Sequence, residues 1–109
     1  VLILGLAFKE DCPDIRNTKV FDVYTELKDK AISVDIYDPH VDPSEAKEIY
    51  GIELLKNLQN TDYDGILLAV PHKIIIDLGA EKIRSLGNKN CVFFDLKSVF
   101  PPEHSDLRL

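Results

Sequence analysis

The sequence has no tryptophan and no methionine, only 2 cysteines, 5 glycines and 6 prolines in 109 residues, and no apolar run long enough to cross a bilayer. Each shortage removes a class of protein. Two cysteines cannot supply the disulfide framework that replaces a core in small secreted domains. Few glycines and prolines beside 45% hydrophobic residues exclude a disordered or fibrous chain. A spanning helix needs roughly 18 consecutive apolar residues, and no basic segment precedes an apolar one at the start, so neither membrane insertion nor export is expected. The expected location is cytoplasmic.

Basic charge is also scarce. Thirteen lysines and arginines stand against 19 acidic residues, for a net charge of −6, and the basic residues are scattered rather than striped. That argues against a nucleic-acid partner. An anionic ligand would have to be held by a few locally placed cations working against the general field.

What is present reads as one domain, 1–109, of the size that buries about two-thirds of its unfolded surface. Val1 already lies inside an apolar run, Val1 to Leu6, that suits a strand buried on both faces, and terminal residues rarely begin so deep. The chain is therefore expected to be a fragment of a longer protein. From Thr18 the apolar residues Val20, Val23, Tyr24 and Leu27 recur at helical spacing to about Lys28. A second strand, Ile32 to Tyr37, stops at Asp38-Pro39. A short charged helix follows from Pro43, with Ser44 as its expected cap and Gly51 as its end. Ile52-Glu53-Leu54-Leu55 reads as an edge strand, and Gly65 to Val70 as a second central one. The stretch from Ile74 to Leu86 is helical but weakened, or split, at Gly79. Cys91 to Phe94 forms the last strand, and the tail from Val99 is expected to be extended, either mobile or docked on a partner surface.

Alternating strands and helices at this spacing predict an α/β, Rossmann-like three-layer sandwich with a mostly parallel five-stranded sheet in the order 3-2-1-4-5. Ligands bind such sheets beyond the carboxyl ends of the strands at the point where strand order reverses. Phe8, Lys9, His72, Lys73, Asp95 and Lys97 all fall on that side.

The loop between the first strand and the first helix, Phe8 to Thr18, is the leading candidate site. A strand-to-helix turn directs backbone N–H groups and a positive dipole end at a docked anion. Lys9 and Arg16 flank it, and Asn17 or Thr18 can cap the helix. A plainer reading pairs Arg16 with Asp14. Gly5 is followed by Leu6, Ala7 and Phe8, so the G-x-G-x-x-G of a dinucleotide site is missing. Cys12 and Cys91 fall at opposite ends of the sheet and are not expected to pair, and Cys12 lacks the sequence-adjacent histidine of an activated nucleophile. His40, His72 and His104, with Asp38 and Asp95, lie near strand ends, but no tight ligand spacing marks a metal site and none is expected.

The string Gly5-Leu6-Ala7-Phe8-Lys9 with Asp14-Ile15-Arg16-Asn17-Thr18 resembles the signature that opens the C-terminal domain of the UDP-glucose and GDP-mannose (nucleotide-sugar) dehydrogenases. Tyr37-Asp38-Pro39, Ala69-Val70-Pro71-His72-Lys73 and Phe94-Asp95-Leu96-Lys97 extend the likeness over nearly the whole chain. Residues 12–20 look most like the branch that oxidises UDP-N-acetylhexosamines for surface polysaccharides.

The resemblance implies a parent enzyme that oxidises the sugar C6 hydroxyl to a carboxylate with two NAD⁺. The NAD-binding domain, the central helical dimerisation region and the nucleophilic cysteine would lie upstream. This domain would then carry no catalytic residue and be inactive alone, its partners being the UDP-sugar, the NAD-binding domain of the same chain and a second copy in a homodimer. By the same resemblance Phe8 and Lys9 touch substrate and Arg16 reaches the NAD site. Lys97 stands where many members carry an arginine that contacts substrate. The competing reading is a non-enzymatic Rossmann-like interaction or regulatory module. A receiver-type module would need an aspartate after the central strand, where this chain has Pro71.

Overall fold

The computed structural model describes residues 1–108. Five strands, β1 (Leu2–Leu4), β2 (Asp35–Tyr37), β3 (Tyr63–Leu68), β4 (Gly87–Asp95) and β5 (Leu107–Arg108), form one sheet in the order β2-β1-β3-β4-β5. Every pairing is parallel. The connections carry helices α1 (Val20–Asp29), α2 (Pro43–Tyr50), α3 (Lys73–Ile76) and α4 (Ala80–Arg84).

Alternation along β1 explains the two layers of core. Successive strand side chains point to opposite faces. Ile3 therefore joins Ile36, Val20 and Ala46 on the α1–α2 face, while Leu2 and Leu4 join Ile66, Leu68, Ile75, Ile83 and Phe93 on the α3–α4 face. Burying each of these Leu, Ile or Phe side chains contributes about 1.5–3 kcal/mol. β1 is apolar and buried throughout because both of its faces are covered, whereas β3 carries exposed Asp64 near its start and is buried more completely on its α3–α4 face.

The α/β class, the parallel sheet, the reversal of strand order between the two central strands and the break at Gly79 all match the sequence reading. Gly79 adopts φ +85 between α3 and α4. Two details differ. Residues 52–55 are not a strand, although Leu55 donates to Ile36 O at 2.9 Å and Leu54 and Leu55 face opposite cores. The chain bends at Lys56 and Asn57 before a ladder can form. The fifth strand comes instead from the tail. Leu107–Arg108 pairs with Phe94 and Asp95, after a 3-10 turn at Pro102–His104. Asp106 clamps it, its Oδ2 accepting from Phe93 N–H at 2.8 Å and from Arg84 at 3.1 Å.

The caps also shift. Asp42, not Ser44, caps α2 by accepting from Ser44 N–H at 2.8 Å, with Pro43 as the first helical residue. The first helix begins two residues later than expected, at Val20, whose N–H donates to Thr18 Oγ1 at 3.2 Å.

Gly5 ends β1 in a conformation that side chains rarely adopt, φ +103, and a Cβ there would stand 2.5 Å from Val70 Cβ. Only glycine lets the two central strands approach this closely as the chain turns out of the sheet.

Candidate functional site

Where β1 and β3 end side by side, a cleft of about 220 Å³ opens at the carboxyl edge of the sheet. Ala7, Phe8, Lys9 and the acidic Glu10 form one wall, Thr18, Lys19 and Val20 line another, and Val70, Pro71, Leu96 and Lys97 are among the residues that close the cleft. The turn after β1 thus brings Lys9 and Phe8 together with Lys97 from the loop after β4. Lys19 joins them from the start of α1, which the sequence reading did not anticipate. Phe8 is 56% exposed, so its ring belongs to the cleft rather than to the core. Among the described residues, Lys9, Lys19 and Lys97 make no ion pair, whereas Lys30, Lys47 and Lys73 each hold a carboxylate.

The backbone donors of the turn behave differently from the expectation. Leu6 and Ala7 N–H groups both donate to Asp38 Oδ2, at 2.7 and 2.9 Å, and Phe8 N–H donates to Asp14 O at 2.7 Å. The concavity that would cradle a phosphate is filled by a carboxylate of the protein itself. A ligand anion is therefore kept from the N–H groups of Leu6, Ala7 and Phe8. The same feature leaves this turn unfit to seat a dinucleotide pyrophosphate, in keeping with its missing glycines.

Asp38 follows β2 and is fully enclosed. Its Oδ1 accepts from His40 N–H at 2.9 Å and its Oδ2 also meets His72 Nε2 at 2.8 Å. Burial by itself would raise the carboxyl pKa, but the His72 N–H and the backbone N–H groups of Leu6, Ala7 and His40 outweigh it and hold the value below the usual carboxylate range. His72 is fully buried as well, and its Nδ1 accepts from Asp11 N–H at 2.8 Å. The carboxylate of Asp11 in turn accepts from Lys73 N–H at 2.8 Å. Sequence reasoning put His72 on the correct edge without finding this role. The available signal was a polar residue directly behind an apolar run at both Asp38 and His72.

Asp95 plays the matching part after β4. It is fully buried, its two oxygens accept from Val99 and Phe100 N–H at 3.1 and 2.9 Å, and the resulting tight loop presents Lys97 to the cleft.

Arg16 does not join Lys9 and Lys97. It lies on a separate depression with Cys12, Pro13, Glu45 and Ile49, and its guanidinium binds both oxygens of Asp14, at 3.1 and 3.0 Å. That pairing lowers the Asp14 pKa and raises that of Arg16. Both groups face solvent, so the pair adds little to stability.

Asp11, His40 and His72 place ligand-type atoms within 4.8 Å of one another. Both nitrogens of His72 are already hydrogen bonded, however, so a cation there would have to dismantle the Asp38 and Asp11 contacts. His104 lies apart in the 3-10 turn. Cys12 and Cys91 are both free and half-buried, and burial pushes the Cys91 thiol pKa up. No helix among the described residues is long and apolar enough to cross a membrane.

The chain is 48% identical over its full length to the UDP-N-acetyl-D-glucosamine 6-dehydrogenases of Salmonella typhi and of Pseudomonas aeruginosa, covering 26% of each. It is 39% identical over 100 residues, or 91% of its length, to Protein CapL of Staphylococcus aureus, covering 23% of that protein. The chain thus spans about a quarter of the length of these relatives. Residues 2–102 match the sequence profile described as the UDP-glucose/GDP-mannose dehydrogenase family, UDP binding domain, and with a parallel sheet that opens a lysine-lined cleft at its switch point the chain belongs to that family.

Proposed function

We propose that this chain is the C-terminal, UDP-gripping domain of a longer nucleotide-sugar 6-dehydrogenase. The enzyme oxidises the C6 hydroxyl of a UDP-N-acetylhexosamine to the carboxylate for surface polysaccharide synthesis, with water as the second oxygen source and two NAD⁺ as hydride acceptors. The observation that carries the reading is the convergence of three lysines without ion-pair partners, Lys9, Lys19 and Lys97, on one cleft of a chain whose net charge is −6. A nucleoside diphosphate brings about two negative charges, and each charge-assisted contact is worth about 1.5–3 kcal/mol. Phe8, exposed on the same wall, covers an apolar face of the ligand.

In this reading Lys9 and Lys97 bind the diphosphate side of the substrate and Arg16 faces the cofactor held by the rest of the enzyme. Its exposure, and its position away from the UDP cleft, support that division. The reacting groups, the NAD-binding domain and the contacts of a homodimer belong to the remainder of the polypeptide. The proposed location is the cytoplasm, consistent with two free thiols.

The test is turnover by the full-length enzyme with NAD⁺ and UDP-N-acetylglucosamine. Two equivalents of NADH per sugar and a UDP-uronic acid by mass spectrometry are expected. Failure to reduce NAD⁺ with any UDP-hexose or UDP-hexosamine contradicts the reading.

A further inference from the structure

We propose that His72 is a positioning residue for the UDP-gripping turn: it holds residues 6–11 so that Phe8 and Lys9 face the cleft, without touching the ligand itself. The inference rests on the nucleotide reading above for what the turn grips. His72 is fully buried and stays out of the cleft, although its neighbour Pro71 lines it.

The hydrogen bonds fix the imidazole tautomer. Asp11 N–H is a donor, so the Nδ1 it meets at 2.8 Å must offer a lone pair. The ring proton therefore sits on Nε2, where it points at Asp38 Oδ2, 2.8 Å away. That same oxygen receives Leu6 and Ala7 N–H. One His–Asp pair thus grips the turn on both sides of Phe8-Lys9-Glu10. Before them the chain is tied to Asp38 directly, and after them it is tied through His72.

A second strap runs the opposite way. The Asp11 carboxylate accepts from Lys73 N–H at 2.8 Å, so the turn and the segment after β3 exchange two bonds. The strap also holds Asp11 at φ +57, in the left-handed region that residues other than glycine adopt infrequently. Between the two anchors only three residues, all exposed, remain to reach into the cleft. Their direction is set by the anchors. One bond of the buried ring ends on the turn itself, at Asp11 N–H, and the other on the carboxylate that receives the Leu6 and Ala7 N–H groups.

The experiment is a calorimetric titration of UDP into five full-length enzymes: the parent, His72→Phe, His72→Gln, Lys9→Ala and the His72→Phe/Lys9→Ala double variant. His72→Phe is expected to weaken UDP binding about tenfold, a part of what removing the Lys9 contact outright costs. It should add almost nothing once Lys9 is already alanine, because the ring acts through Lys9. His72→Gln, whose carboxamide offers one acceptor and one donor, should restore most of the affinity. Amide exchange at Leu6, Ala7 and Asp11 should quicken in His72→Phe and recover in His72→Gln. Fully additive losses in the double variant, or parental UDP affinity in His72→Phe, overturn the proposal.

Parental protection at residues 6–11 in His72→Phe overturns it as well, even without ligand. Equal UDP affinity of parent and Lys9→Ala would instead refute the nucleotide reading, with the exchange data still deciding whether His72 holds the turn. If His72→Phe does not fold, His72→Asn takes its place, its shorter carboxamide unable to span both Asp11 N–H and Asp38 Oδ2. It is expected to give the same non-additive loss, and parental affinity there contradicts the proposal.

Discussion

His72 Nε2 stands 2.8 Å from Asp38 Oδ2, and neither side chain reaches solvent. The pair joins the end of β2 to the segment after β3 across the loop that leaves β1. Its chemistry is one-sided: Asp38 only accepts, and every group around it only donates.

Asp38→Asn should therefore be costly. The amide keeps the shape but puts an NH₂ against either the backbone N–H groups of Leu6 and Ala7 or that of His40. Stranding buried donors in this way removes about 3 kcal/mol of stability. Urea unfolding of the Asp38→Asn protein beside the parent measures it, and a midpoint unchanged from the parent would show that the carboxylate is dispensable.

Stability should also fall in acid for a reason traceable to this residue. The folded-state pKa of Asp38 lies below its unfolded value of about 3.9, so the stabilisation is fully present above that value. It is lost as pH drops through the lower, folded pKa. Melting temperatures from pH 6 down to pH 2 should show a decline confined to the acid end, with the Asp38-dependent part absent from Asp38→Asn. Identical acid limbs for the two proteins would contradict the assignment.

Much of this architecture was legible in the residues. The unbroken apolar runs at 1–6 and 65–70 announced two doubly covered central strands, and the helical spacing of Val20, Val23, Tyr24 and Leu27 announced α1. Phe8, Lys9 and Lys97 could be placed on the correct edge because the carboxyl ends of parallel strands share one side. The missed features depend on contacts distant in sequence. Asp38 fills the turn from 31 and 32 residues away, so nothing local shows that the N–H groups of Leu6 and Ala7 are already occupied. The strand at Leu107–Arg108 is equally hidden, since two exposed residues carry no periodicity and are held through Asp106 against Phe93. Residues 52–55 show the converse error, an apolar pattern of strand type that gains a single bond to β2.

Arg16 and Lys9, though only seven positions apart on one loop, should separate functionally. Arg16 lies on a different depression and is held by Asp14, so Arg16→Ala is expected to leave UDP affinity within about twofold, as for surface changes outside a contact. In the full-length enzyme it should raise the KM for NAD⁺. Steady-state kinetics with each substrate varied in turn tests this, and a rise in the KM for the UDP-sugar alone would reverse the division of labour.

The central claim is that Lys9 grips a nucleoside diphosphate, and its most direct test is a calorimetric titration of UDP into the full-length enzyme and its Lys9→Ala variant. Losing one charge-assisted contact should cost about 2 kcal/mol, a rise in Kd of roughly thirtyfold at 25 °C. Superimposable binding curves for the two proteins would contradict it.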